Sequence, residues 1–240
     1  MEWMEAEDYQ DMSEKAGEIV LEEMRARSLP TLGLATGSTP EGLYQYLIMQ
    51  YQRGKVSYRK TRTFNLDEYV DLPWEHPNSY YHYMKEKFFS HVDVQDKNTY
   101  LPDGMAENLE KECMKYESEI AAAGGVVTQV LGLGGNGHIG FNEPGTPFDS
   151  RTHVVDLKES TRRANARFFP SLEEVPKQAI TMGIETIMES KRILLLVSGR
   201  NKREALARLM EGEVSEEFPA SVLWRHPNVQ VIADREALGK

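Results

Sequence analysis

Apolar residues recur along the chain in two alternating rhythms. Tyr9, Met12, Ala16, Ile19, Val20 and Met24 return every three or four positions, which predicts a helix from about Glu7 to Arg27 with one buried stripe. The short apolar run Thr31 to Ala35 reads as a strand. Thr36-Gly37-Ser38-Thr39-Pro40 follows it and leads into a second helix, Gly42 to Gln52, with the proline placed just after a Ser/Thr cap. Further strands are expected at Thr63–Leu66, Val126–Leu133, Ile193–Val197 and Val229–Ala233. Helices are expected at Glu107–Ala122, from Pro176 through Ile180, Ile184 and Ile187, and at Lys202–Met210. Strands alternating with helices predict an α/β fold with a mostly parallel sheet covered on both faces. No repeat or linker divides residues 1–240, so one domain is expected, with the proline-, glycine- and threonine-bearing stretch of about 144–161 as a flap.

Composition narrows the function. Lys and Arg number 28 against 38 Asp and Glu, a formal charge of −10, which repels phosphate backbones and argues against nucleic-acid binding. The lone cysteine, Cys113, rules out an internal disulfide and suits a reducing compartment. The acidic start MEWMEAEDYQ is unlike a secretory signal, and no apolar run nears the roughly 18 residues of a membrane span. A cytoplasmic protein with no membrane partner is expected. Any anionic ligand must then be held by local cations and helix starts against the global charge.

Four loops at strand ends carry polar chemistry. Thr36-Gly37-Ser38-Thr39-Pro40 presents small residues and backbone N–H groups at a helix start, fit either for phosphate or for simple capping. Ser198-Gly199-Arg200-Asn201-Lys202-Arg203 puts cations where a helix start favours acids, a cost that an anionic ligand would reverse and that a solvated basic patch would simply bear. Gly132, Gly134 and Gly137 fit the dinucleotide spacing, but Pro144 and Pro147 forbid the long helix that fingerprint requires. The better reading is that the glycines let the backbone approach a small ligand, with Asn136, His138 and Glu143 projecting polar groups into the site. No third ligand is spaced to make His138 and Glu143 a metal site, and no metal is expected. Asp67-Glu68-Tyr69 places adjacent carboxylates at a strand's end, either a general base with a raised pKa or a solvated turn.

Together Asn65-Leu66-Asp67-Glu68-Tyr69, His76-Pro77-Asn78-Ser79-Tyr80-Tyr81, Gly137-His138-Ile139-Gly140-Phe141-Asn142-Glu143-Pro144 and Ala164-Asn165-Ala166-Arg167-Phe168-Phe169 resemble, in order and over most of the chain, the glucosamine-6-phosphate deaminases. The resemblance implies a Rossmann-like fold and conversion of glucosamine 6-phosphate and water to fructose 6-phosphate and ammonium, without a cofactor. It implies Asp67 as the base at C2 and His138 as proton carrier in ring opening, supported by Glu143 and Asn136. It also implies Gly37, Ser38, Thr39, Arg167 and Lys202 as holders of the phosphate. Many members carry aspartate where this chain has Asn136. Allosteric members place basic residues where this chain has His153 and Val155, so it resembles the short, unregulated members. The expected partners are the sugar phosphate and, as an allowed assembly, further copies of the chain. The alternatives weighed are a 6-phosphogluconolactonase-type hydrolase, which needs no base at C2, and a sugar-phosphate-sensing module, which would bring a DNA-binding domain and basic surface.

Overall fold

The computed structural model describes residues 1–166 and 169–240. Its strands are β1 (Glu2–Ala6), β2 (Thr31–Leu34), β3 (Arg62–Asn65), β4 (Asp67–Tyr69), β5 (Thr99–Tyr100), β6 (Thr128–Gly132), β7 (His153–Asp156), β8 (Gln178–Thr181), β9 (Arg192–Val197) and β10 (Val229–Asp234). The helices are α1 (Tyr9–Ala26), α2 (Glu41–Gln52), α3 (Tyr80–Lys87), α4 (Leu109–Ala122), α5 (Glu159–Asn165), α6 (Ile184–Met188), α7 (Arg203–Glu211) and α8 (Arg235–Leu238). Seven strands form a wholly parallel sheet in the order β1-β10-β9-β6-β2-β3-β5, as the alternation of strands and helices predicts.

Each strand divides its side chains between two cores, because successive residues face opposite sides of the pleat. Leu32, Leu34, Val130, Leu194 and Leu196 join Met12 and Ala16 of α1 and Leu43 and Leu47 of α2. Leu131, Ile193, Leu195 and Val197 pack instead with Tyr116 of α4 and Leu206 and Leu209 of α7. Both faces are thus sealed by helices, and the ends of the strands are what remains open to a ligand.

Two expectations are corrected. The segment after Pro176 is not a helix through Ile180. It forms β8, the middle strand of a small antiparallel sheet ordered β4-β8-β7, and the helix α6 starts only at Ile184. The proline also does not sit inside α2. Pro40 occupies the cap position itself, and no side chain caps that helix. The stretch 144–161 contains β7 and opens α5, and β7 lies antiparallel to β8.

The small sheet knits the segments that carry Asp67 and His138 together. Asp67 lies opposite Thr181 in the β4–β8 register. Thr181 Oγ1 accepts the Phe141 N–H at 3.1 Å, and Asn142 Nδ2 donates to the Ile139 and Met182 carbonyls at 2.9 Å. The Met182 N–H in turn donates to Leu66 O at 2.6 Å. One short strand therefore fixes both the approach to Asp67 and the loop that follows β6.

Candidate active site

A cavity of ≈ 410 Å³ opens beyond the carboxyl ends of β2, β3, β6 and β9, where open α/β sheets bind their ligands. Asp67, Asn136, His138, Glu143, Thr39 and Lys202 all line it. Gly37 and Ser38 line an adjoining recess of ≈ 570 Å³, which shares Thr36 and Tyr80 with the first. Arg167, the remaining expected phosphate ligand, lies outside the described residues.

Asp67 starts β4 after a break at Leu66 and is 7 % exposed. Burial, then the neighbouring charge of Glu68, pushes its carboxyl up to about 8. Among the described residues it accepts no hydrogen bond, so both oxygens are available to a proton on a substrate carbon. At Gly140, φ +57°, a side chain would lie 3.0 Å from Thr181 Oγ1 and 3.6 Å from Asp67 Oδ2.

His138 is the centre of a polar relay. Asn136 Oδ1 accepts from the His138 backbone N–H at 3.2 Å and from ring Nδ1 at 2.6 Å, which assigns the proton to Nδ1 and leaves Nε2 a free acceptor. Asn136 Nδ2 donates to Glu143 Oε2 at 2.6 Å, and Thr161 Oγ1 donates to Glu143 Oε1 at 2.8 Å. Desolvation lowers the imidazole pKa, with Lys202 and Lys158 adding to the effect and Glu143 opposing it, so the ring is neutral near pH 7. The ring rests on Gly134. A Cβ there would stand 2.4 Å from it, which is why the loop carries no side chain at that position.

The phosphate-ready loops are held from behind. Tyr83 of α3 donates its hydroxyl to Gly37 O at 2.7 Å, and Tyr9 of α1 donates to Ser38 O at 2.8 Å while accepting the Gly42 N–H at 2.7 Å. With the loop carbonyls engaged, the N–H groups of Gly37, Ser38 and Thr39 meet no acceptor among the described residues. Since no side chain caps α2, Thr39 keeps its hydroxyl for the cavity. Anions are favoured at such a helix start.

Of the cations in the second loop only Lys202 faces the cavity. Arg200 pairs with Glu236 at 3.4 Å, and Arg203 Nε donates to Glu236 O at 2.8 Å, so both belong to α8. Burial lowers the Lys202 pKa, the direction expected of a cation awaiting a counter-ion. The turn before it is fixed by buried Asp234, which accepts from Ser198 Oγ, from the Gly199 N–H at 3.1 Å, and from the Ala237 N–H at 2.7 Å as the cap of α8.

Sequence reasoning missed Thr161 and Asp234, whereas Thr36 lies in the first loop it singled out and Tyr80 in a motif it quoted. Asp234 had a signal, a carboxylate at the end of a predicted strand. Thr161 had none, because its partner Glu143 is 18 residues away.

An acid–base pair and a lysine-bearing helix start at the carboxyl edge of a parallel sheet define a class, the α/β enzymes that handle small anionic metabolites. The chain belongs to the family described as glucosamine-6-phosphate isomerases/6-phosphogluconolactonase, whose model matches residues 5–232. It is 58% identical over 238 residues to a glucosamine-6-phosphate deaminase of Oceanobacillus iheyensis, covering 99% of this chain and 95% of that one. It is 51% identical over 237 residues to glucosamine-6-phosphate deaminase 1 of Bacillus subtilis, covering 99% and 98%. A solved monomeric glucosamine-6-phosphate deaminase matches with a TM-score of 0.97 at 51% identity, covering 100% of this chain and 99% of that one. The 6-phosphogluconolactonase from Thermotoga maritima, at 22% identity and a TM-score of 0.76 over 97% and 98% of the two chains, shares the fold.

Proposed function

We propose that the protein deaminates glucosamine 6-phosphate, forming fructose 6-phosphate and ammonium. The observation that carries this reading is the pairing, in one cavity, of an unengaged carboxylate at Asp67 with a neutral imidazole at His138. Lys202, Thr39 and the N–H groups of the Gly37–Ser38–Thr39 loop, with Arg167, take the phosphate. Nε2 of His138 receives the O1 proton and returns it to the ring oxygen, opening the sugar to its aldehyde. Asn136 and Glu143 hold the ring in the tautomer that permits this.

Asp67 then removes the C2 hydrogen, which the new carbonyl has made acidic. Electrons move into C1–C2 to give an enolamine, which takes a proton at C1 and leaves a C2 iminium. Water adds to C2, and ammonium departs as the ketone forms. The C1 carbonyl is the electron sink for loss of the C2 hydrogen, and the C2 iminium is the electrophile for the water that displaces ammonia. The segment 144–161 acts as the entrance of this single domain, since Glu143 before it and Thr161 at its end both line the cavity and bond to each other. Among the described residues no helix is long and apolar enough to cross a membrane, and the substrate is a diffusible metabolite, which favours the cytoplasm.

The test is ammonium release in D₂O with the C2 hydrogen followed by NMR. Wild type should release ammonium and exchange or transfer that hydrogen, and Asp67→Asn should do neither while still binding the sugar phosphate. Hydrolysis of 6-phosphogluconolactone by both proteins, with no ammonium from the aminosugar, would overturn the proposal.

A further inference from the structure

Glu68 is fully buried, yet it faces away from the cavity that its neighbour Asp67 lines. The alternation of a strand requires this, since adjacent side chains leave β4 on opposite faces. Its Oε1 accepts the Tyr69 N–H at 2.8 Å and the Tyr80 N–H at 2.9 Å, and its Oε2 accepts the Tyr81 N–H at 2.8 Å. Tyr80 and Tyr81 open α3, whose cap Ser79 serves the His82 N–H. Glu68 thus supplies two orphan donors of that helix start with a charged acceptor from another element. Tyr80 reaches back to the catalytic cavity, its ring 4.8 Å from that of Tyr69, and lines it with Asp67.

We propose that Glu68 is a positioning residue for the base at Asp67: one buried carboxylate, clamped by three backbone N–H groups, locks the strand carrying Asp67 to the helix carrying Tyr80. The inference rests on the reading of Asp67 as the C2 base. Burial raises Glu68 to about 7, opposed by those three donors, while Asp67 stands near 8 without a donor among the described residues. The pair therefore ionises first at Glu68, and the charge gathered there holds the proton on Asp67 to higher pH.

The other ionisable groups facing the pair are Tyr69, Tyr80, Tyr116 of α4 and Asp103, with His138, Glu143 and Lys202 across the cavity. On β8, Thr181 and Ile180 oppose the two carboxylates and do not titrate. Tyr69 and Tyr80 also feel the charge of Glu68, but burial holds both phenols far above the acidic limb, so a displacement of that limb reports on the pair.

The experiment measures kcat and KM for glucosamine 6-phosphate from pH 5 to 10 with wild type, Glu68→Gln and Glu68→Asp. Removing the charge should move the acidic limb of kcat/KM down by roughly one pH unit. It should also cut kcat about tenfold with KM within about twofold, because the phosphate is held elsewhere. Glu68→Asp keeps the charge but shortens the reach, so kcat should fall while the limb stays. An unmoved or raised limb in Glu68→Gln, or equal displacement in both variants, overturns the inference. If Glu68→Gln does not fold, carboxyl ¹³C NMR of wild type decides, with the Asp67 signal assigned through Asp67→Asn. A biphasic titration supports the coupling and a single step refutes it. Absence of ammonium from wild type would instead refute the reading of Asp67.

Discussion

Burying a carboxylate without a donor opposes folding, and Asp67 makes that cost measurable. Its folded pKa near 8 lies far above the value of about 3.9 expected when unfolded. Between those values the folded state keeps a proton that the unfolded state has released, so stability falls as pH rises through the window and the penalty is complete above about pH 8. Asp67→Asn removes the titration. The variant should match wild type in stability near pH 4, gain on it as pH rises, and exceed it by about 2–4 kcal/mol at pH 9, even as deamination is lost. Urea denaturation of both proteins at the two pH values checks this, and a difference independent of pH would contradict it. This residue was legible in the sequence because a strand end and a second acid marked it. The choice between a buried base and a solvated turn was not, since the strand that covers it, β8, comes from far along the chain.

Elements were legible in proportion to their length and regularity. Strands β2, β3, β6, β9 and β10 and helices α1, α2, α4 and α7 follow from apolar runs, helical spacing and start signals, whereas β1, charged at Glu2 and Glu5, and the two-residue β5 carry no such run. The small sheet was hidden because its strands span only three or four residues, and two of them carry Asp67, Glu68, His153 and Asp156. Ile180, Ile184 and Ile187 match helical spacing across a junction where a strand ends and a helix begins, an ambiguity inherent to short apolar runs. The basic loop before α7 misled in another way. Its residues suggested a cluster of cations for one anion, whereas Arg200 and Arg203 turn to α8 and leave Lys202 alone at the cavity. What aims Lys202 is the turn clamped by Asp234. Asp234→Ala should therefore cost about 1–3 kcal/mol through the lost cap and turn bonds. It should also raise KM for the sugar phosphate roughly tenfold with kcat little changed, because uniform binding is what is lost. Steady-state kinetics beside thermal unfolding test the pair of effects. A fall in kcat at constant KM would place the clamp in the chemistry instead.

At the scale of the whole molecule a chain of charge −10 binds an anion, which the sequence alone presents as a contradiction. Beyond about 8 Å, surface charges are largely screened at physiological salt, so the contacts at the sheet's edge decide binding. Those contacts depend on distant parts of the fold. β1 pairs in parallel with β10 from Glu2 opposite Gln230 to Ala6 opposite Asp234, the residue that clamps the Lys202 turn. Trp3 packs near Trp224 at 6.4 Å, while Glu5 pairs with Arg235 and Lys240, exposed bridges that add little alone. The first strand is thus the outer wall of the strand that ends at Asp234. Deleting residues 2–6 turns β10 into an edge strand, uncovers its backbone groups and frees the end where Asp234 sits. A loss of about 2–3 kcal/mol corresponds to a fall in Tm of roughly 5–10 °C for a chain of this size. KM should rise several-fold in the same variant at temperatures where it remains folded, with kcat retained, because Asp67 and His138 are carried by β4 and the loop after β6. Kinetics at 20 °C against a melting curve separate the two consequences. If Tm drops and KM does not move, β1 only seals the sheet, and the path from the first strand through Asp234 to Lys202 does not reach the substrate.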